Sequence, residues 1–363
     1  MQVTAELLAP TPPAQDVGAL ASAPRPGARN ESREEAIARL RTIVYKTLDS
    51  LIPAGAPCAL VDFPHYPNVG DSAIYLGELA YLRNRGCAVH YVADWQTYDR
   101  NALRRALPEG IVLINGGGNF GDLYPRHQQI RQAVLRDFPD RRVVQLPQSV
   151  HFDDPAALEA SRADFSAHPD FHLVVRDQVS LDLVQRSYDT PTYLCPDMAF
   201  LLDVPRFKPA DAPLAAVVLS RTDGEKAAPE HGGLAVGDCV SVADWLEEPP
   251  PGAEWLYRWG TVRGRWQRTH WPRSVISWAQ RTGARRMADQ RLARGLRQIH
   301  GGRTLVTDRL HALILGWMSG MPVFHVDNRY RKLGNLLDTW LPGRSDLPAF
   351  ARLDEALLAA TVA

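Results

Sequence analysis

Cysteine is scarce in this chain, and the four present (Cys58, Cys87, Cys195 and Cys239) form no C-x-x-C pair. Their scatter argues against a zinc cluster or a disulfide framework and fits a reducing compartment. Net charge is absent as well: 41 Lys and Arg balance 41 Asp and Glu. No whole-protein field therefore marks the chain for nucleic acid, and no nucleic-acid partner is expected. No apolar run approaches the roughly 18–20 residues of a membrane span. The N-terminus has no basic stretch followed by an apolar one, so no signal peptide is read and a cytoplasmic location is expected. No constellation with metal-ligand spacing stands out, so neither a metal nor a cofactor is expected.

What remains is ordinary globular material, 45% hydrophobic and 23% charged, over 363 residues. That length exceeds one ordinary core and suits two domains. Residues 1–32 are rich in Ala and Pro and read as disordered. Ser32 and Glu35 then form a capping box that opens a helix. Short apolar strands follow at 59–63, 88–92, 111–114, 143–146 and 173–175. Helices alternate with them at 73–85, 99–107, 126–138, 155–166 and 178–187. A Pro-rich break at 203–209 precedes a second set of strands at 215–219, 304–306 and 322–326. Alternation of this kind predicts an α/β protein with parallel sheets covered on both faces. The expected architecture is two doubly wound, Rossmann-like domains, 33–205 and 206–363, with ligand in a cleft at the strand carboxyl ends.

Four segments carry residues suited to chemistry. Leu305-Val306-Thr307-Asp308-Arg309-Leu310-His311 reads as a strand, a turn capped by Thr307 or Asp308, and a helix closed by Gly320. Its free N–H groups and dipole face the same point as Arg309 and His311, an arrangement that attracts an anion. A solvated Arg beside a hydrogen-bonded His is the plainer account of the same spacing. Pro67 to Ala73 places Asn68 and Asp71 in a βα turn, where either a hydroxylated substrate or a simple helix cap explains them; Asp71 or Ser72 is the expected cap. Asn115 to Asp122 satisfies G-x-G-x-x-G literally, yet it is not in the first βαβ unit and lacks an acid at the usual distance. It also lacks the G-K-[ST] of a P-loop. Bare N–H groups at Gly117 and Gly118 suit an anion or a sugar oxygen, or else a tight turn. Arg221, after the first strand of the second set, either enters the cleft or sits on the surface.

The stretch 245–300 holds six of the nine tryptophans, and from Leu256 to His300 eleven arginines face one acid, Asp289. It suits contact with an anionic membrane surface or with sugar rings. Alternatively it is an exposed helix with aromatics packed inward, since Ala288, Leu292, Leu296 and Ile299 form an apolar stripe.

Taken in order, Asn68-Val69-Gly70-Asp71, Gly121-Asp122-Leu123-Tyr124, Gln145-Leu146-Pro147-Gln148-Ser149, Val175-Arg176-Asp177-Gln178-Val179-Ser180, Cys195-Pro196-Asp197-Met198-Ala199 and Thr307-Asp308-Arg309-Leu310-His311 resemble the polysaccharide pyruvyl transferase family. The tail Asp327 to Leu333, continuing to Asp338-Thr339-Trp340, is similar to bacterial exopolysaccharide members. The resemblance spans about residues 60–341 and omits the Trp/Arg-rich stretch. It implies a fold like the two-domain type-B glycosyltransferases and transfer of a pyruvyl group from phosphoenolpyruvate to a sugar, as a ketal. It places Arg309, His311 and Arg221 at the donor; Gly117 and Gly118 are expected there too, from their bare N–H groups. Asn68, Asp71, Asn119 and Tyr124 are expected to contact the acceptor or to line the cleft.

Phosphoenolpyruvate carries a carboxylate and a phosphate, and the guanidinium fork bonds either bidentately. Arg309 is therefore expected to hold the donor and His311 to move a proton. The acceptor is a saccharide, with a lipid-linked precursor and peripheral membrane contact through 245–300 as further expectations. Two other readings stay open: a glycosyltransferase using a nucleotide sugar, and a non-catalytic glycan- or membrane-binding protein.

Overall fold

The computed structural model describes residues 31–224, 226, 238–246, 252–265 and 271–362. The N-terminal region expected to be disordered lies, up to residue 30, outside the described residues, as does Trp266. Helix α1 (Arg33–Asp49) opens on the expected capping box, with Ser32 and Glu35 bonded reciprocally. Then follow β1 (Cys58–Val61), α2 (Val69–Asn84), β2 (Val89–Ala93), α3 (Arg100–Ala106), β3 (Ile111–Ile114), β4 (Gly117–Gly121) and α4 (Pro125–Asp137). The first sheet is completed through β5 (Val143–His151), α5 (Pro155–Ala167), β6 (Phe171–Val175), α6 (Gln178–Ser187) and β7 (Thr192–Leu194). The second sheet begins with β8 (Leu214–Leu219) and β9 (Val240–Ala243), continues after α7 (Glu254–Arg265) and α8 (Arg273–Ile299) with β10 (Gly302–Thr307), and ends through α9 (Leu310–Ser319), β11 (Val323–Val326), α10 (Lys332–Trp340), β12 (Ala349–Phe350) and α11 (Leu353–Val362).

The first sheet runs β2-β1-β3-β5-β6-β7, with β4 on β5; the second runs β12-β11-β10-β8-β9. The pairings are parallel throughout, for example Leu60↔Leu113 in the first sheet and Val306↔Val218 in the second. Parallel strands are covered on both faces, which their continuous apolar runs anticipate. Leu60, Val144 and Val174 share one buried cluster with Val217 and Leu305, so a single core passes from sheet to sheet through α2 and α9. The opposite faces carry separate clusters, one around Val61, Ile114 and Val175, the other around Val218, Val306 and Leu357.

Three differences from the sequence pattern have physical causes. Helix α2 starts at Val69 and not at residue 73, because Asn68 caps it: its Oδ1 accepts the Gly70 N–H at 2.9 Å. Asp71 and Ser72 are already inside the helix. Part of the glycine loop is a strand, β4, paired with β5, and glycines give no side-chain alternation by which to read it. The basic stretch forms α7 and the long helix α8, and several of its arginines are not spread over a free face. Arg281, Arg291 and Arg294 donate to the backbone carbonyls of Val89 (2.6 Å), Pro64 (2.9 Å) and Pro67 (3.3 Å), fastening α8 to the first sheet. Trp245 is buried, whereas Trp255, Trp271 and Trp278 are exposed. No helix among the described residues is long and apolar enough to cross a membrane.

Candidate active site

The carboxyl ends of both sheets converge on a cavity of ≈ 360 Å³. From the first sheet come Tyr66, Asn68 and Asp71 after β1, Gly118 and Asn119 in β4, Tyr124 and His127 at the start of α4, and Arg176 after β6. The second sheet supplies Arg221 and Asp223 after β8, Trp245 and Leu246 after β9, Arg309, Leu310 and His311 after β10, and Lys332 after β11. Loops leaving the carboxyl edge are where doubly wound sheets present ligand-binding groups. Asn68, Asp71, Gly118, Asn119, Tyr124, Arg221, Arg309 and His311 thus share one cavity. Gly117 does not line it; at φ 135° it turns the chain behind Gly118, beside the Asp71 carboxylate.

The second-sheet wall is built around the start of α9. Arg309 occupies the N-cap and no side chain caps the helix, contrary to the expectation for Thr307 or Asp308. Both are used one step earlier. Thr307 Oγ1 accepts the Arg309 N–H at 3.0 Å, and Asp308 accepts the Arg221 N–H at 2.8 Å and the Ser220 hydroxyl at 3.4 Å. The first-turn amides of α9 and its positive dipole end consequently stay open beside Arg309 and His311. Burial raises the Asp308 carboxyl above its usual range, against the pull of the Arg221 amide and Arg309.

Arg309 is buried, with Nη2 against Asp244 Oδ1 and 3.8 Å from Asp223 Oδ2. These are charge contacts without hydrogen-bond alignment, because Nε and Nη2 have no hydrogen-bond partner among the described residues. Asp244 is itself fixed by the Thr222 amide (2.9 Å) and hydroxyl (2.6 Å). Arg221 is held differently. Asp223 grips its guanidinium bidentately at 2.8 and 2.9 Å.

His311 Nε2 lies 3.3 Å from Asp197 Oδ2, and Arg176 Nη1 donates to the same oxygen at 2.7 Å. Burial pushes the Asp197 carboxyl up, but His311, Arg176 and the Ala199 amide outweigh it and hold the group well below the ordinary carboxylate range. Gly70 matters here: a side chain at that position would collide with the His311 ring. At Gly118 a Cβ would stand 2.9 Å from Arg176 Nη2 and 3.2 Å from Lys332 Nζ, so a side chain there would push these two cations aside. Lys332 Nζ donates to Gly118 O at 3.1 Å. The tail segment locks this corner, since Trp340 Nε1 donates to Arg176 O at 2.7 Å and Thr339 Oγ1 accepts the Gln178 N–H at 3.0 Å.

The first-sheet wall is polar and aromatic. Asn68 Nδ2 donates to Asp71 Oδ2 at 2.7 Å, so the two side chains fix one another. Tyr66 is pushed well above its usual range by burial and by the nearby Asp71 and Asp62 carboxylates. Fully buried Arg131 donates to Gln145 Oε1 at 2.8 Å and to Asn119 O at 3.1 Å, and burial lowers its pKa to about 10. His127 Nδ1 is 2.7 Å from Asp62 Oδ1, a buried carboxylate. Among the residues that sequence reasoning left out, Arg176, Asp197 and Lys332 stood inside the segments that carried the resemblance. His127 had no local signal.

The chain matches the model of the polysaccharide pyruvyl transferase family over residues 68–330. It is 32% identical over 305 residues to Pyruvyl transferase 1 of Schizosaccharomyces pombe, covering 78% of this chain and 70% of that protein. To EpsO of Bacillus subtilis it is 28% identical over 298 residues, covering 81% and 88%. A solved structure of an uncharacterised protein from Klebsiella pneumoniae superposes with a TM-score of 0.51 at 15% identity, over 86% of this chain and 99% of that one, a likeness of fold alone. With the parallel-sheet architecture and a match across most of its length, this chain belongs to the polysaccharide pyruvyl transferase family, and it is a transferase.

Proposed function

We propose that the protein transfers a pyruvyl group from phosphoenolpyruvate to a sugar of a polysaccharide or its lipid-linked precursor, closing a pyruvate ketal and releasing phosphate. The observation that carries this reading is the open N-terminus of α9 with Arg309 and His311 on it, facing Lys332 and Arg176 in one cavity. A small trianionic donor needs several fixed cations, and a helix terminus contributes roughly half a charge more. In the free enzyme Asp244 and Asp197 hold the buried cations; a buried guanidinium without a counter-charge costs several kcal/mol, so those partners keep the site formed until donor arrives. Asn68, Asp71, Asn119 and Tyr124 suit the hydroxyls and ring face of a sugar. The parallel sheets on either side of the cavity support a two-domain arrangement like that of the type-B glycosyltransferases.

Ketal formation requires a proton on the methylene carbon, attack by a hydroxyl on the resulting cationic carbon, and departure of phosphate. His311, held beside Asp197 Oδ2 at the open end of α9, supplies that proton. Arg309 keeps the donor oriented. The exposed Trp255, Trp271 and Trp278 of the α7–α8 region, with neighbouring arginines, suit contact with an anionic membrane carrying a lipid-linked acceptor; co-sedimentation with anionic vesicles checks this, and no binding at low salt removes it.

The decisive experiment is a thermal-shift comparison of phosphoenolpyruvate with a panel of nucleotide sugars, followed by assay of released phosphate and product mass. Stabilisation by phosphoenolpyruvate, with phosphate release and a gain of one pyruvyl unit, is expected. Stabilisation by a nucleotide sugar alone would replace this reading with sugar transfer.

A further inference from the structure

We propose that His127, oriented by Asp62, is the base that removes the proton from the attacking acceptor hydroxyl. The inference rests on the pyruvyl-transfer reading above and deepens it. Closing a ketal takes hydrogens from two hydroxyls; one ends on the new methyl group and the other on the departing phosphate. One imidazole on the donor wall accounts for the first transfer only. Of the residues lining the cavity, His127 is the imidazole on the opposite, first-sheet wall.

Its surroundings are built for that task. Asp62 Oδ1 accepts from Nδ1 at 2.7 Å, which fixes the tautomer and leaves Nε2 as the nitrogen with a lone pair to offer. The Asp62 carboxylate is buried, and Arg131 Nη2 lies 3.7 Å from Oδ2. Oδ2 has no hydrogen-bond partner among the described residues, so His127 is its chief partner. Asp62 sits directly after β1 with φ 68°, a conformation that a non-glycine residue rarely keeps without tertiary reason. Tyr66 and Tyr124 stand edge-on to the imidazole, with ring centroids 5.8 and 6.3 Å away, and shield it from bulk water. Asp71 is a poorer base, since Asn68 already donates to its Oδ2.

The step balances. His311 gives its proton to the methylene carbon as the first hydroxyl oxygen bonds to the adjacent carbon, and His127 takes that hydroxyl's proton. The carbon–oxygen bond to phosphate then breaks with its electron pair going to phosphate, which receives the proton from His127. The second hydroxyl attacks the same carbon and its proton recharges His311.

Turnover, phosphoenolpyruvate affinity and kcat–pH profiles of His127→Ala, His127→Gln and Asp62→Asn test the assignment. Donor affinity should stay close to wild type, while kcat falls about 10²- to 10⁴-fold in both His127 variants and the acid limb of the profile disappears. Added imidazole should restore turnover to His127→Ala, which a merely structural histidine would not allow. Asp62→Asn should keep donor binding and lose turnover, because an amide selects the wrong tautomer. Normal kcat in His127→Gln overturns the proposal, as does a loss that imidazole fails to restore. Wild type that binds no phosphoenolpyruvate would instead sink the donor reading, which separates the two failures.

Discussion

The cavity holds two histidine–carboxylate pairs, and they are built differently. His127 meets Asp62 at 2.7 Å, and that carboxylate's second oxygen has no hydrogen-bond partner among the described residues. His311 meets Asp197 at 3.3 Å, across an oxygen that Arg176 approaches to 2.7 Å. A short bond to a carboxylate that makes no other hydrogen bond through that oxygen fixes a ring and its tautomer. A long bond to a carboxylate already spent on arginine leaves the ring free to change partners. The first arrangement suits a stationary acceptor of protons, the second a donor that must follow a substrate carbon. The two carboxylates each face a histidine and an arginine and differ in which of the two they bond closely. Glu78 contrasts with both: no salt bridge is seen to it among the described residues, its Oε1 accepts the Gly116 N–H at 2.7 Å, and burial pushes it well above the carboxylate range.

The contrast is strongest where a partner is removed outright. His311→Ala should lower kcat about 10²- to 10⁴-fold with donor saturating; retention of more than about a tenth of wild-type turnover would show that His311 carries no proton. Asp197→Asn leaves Arg176 buried without its charge partner and should cost about 3–5 kcal/mol in denaturant unfolding. The sign with pH follows from the depressed folded pKa: the stabilisation is present above the unfolded carboxylate value and is lost as pH falls below about 4. The acid-unfolding slope should therefore flatten in Asp197→Asn, and an unchanged slope would reassign it.

Next in size is the difference between two arginines. Arg309→Lys should weaken phosphoenolpyruvate binding by about tenfold or more, since an ammonium cannot replace the fork. Arg221→Lys should cost less, because Asp223 already engages that guanidinium on both arms. Equal losses by calorimetry would erase the distinction. The smallest effect belongs to Glu78→Gln. A raised folded pKa means stability is complete below the unfolded value and declines as pH rises through the folded one, so an amide should gain about 1 kcal/mol at neutral pH. Destabilisation of Glu78→Gln at neutral pH would show that the buried carboxyl is ionised.

Much of the scaffold could be read from local pattern. The strand at Ile111–Ile114 and the helix at Gln178–Ser187 fall where apolar spacing puts them. Ends shifted where a cap competed, as Asn68 did with Asp71. The site was readable only where one loop holds its own chemistry, as at Arg309 and His311. Pairings across the fold were not: His127 is 65 residues from Asp62, and Asp197 is 114 from His311. Nothing in the flanking sequence of α4 distinguishes that histidine from any other in an amphipathic helix. The arginines of α8 misled for a related reason, because backbone carbonyls as partners leave no acidic residue in the sequence to be noticed.

Swinging one sheet away from the other would break the bonds from Arg281, Arg291 and Arg294 and split a shared core. The two walls of the cavity are accordingly tied together by these bonds and by the shared core. At ≈ 360 Å³ the cavity stands near the small end for ligand pockets, with room for a small anion and little beyond one sugar ring. A glycan of any length must therefore present a single residue at the mouth and leave the rest outside, so its recognition beyond that residue falls to the outer surface.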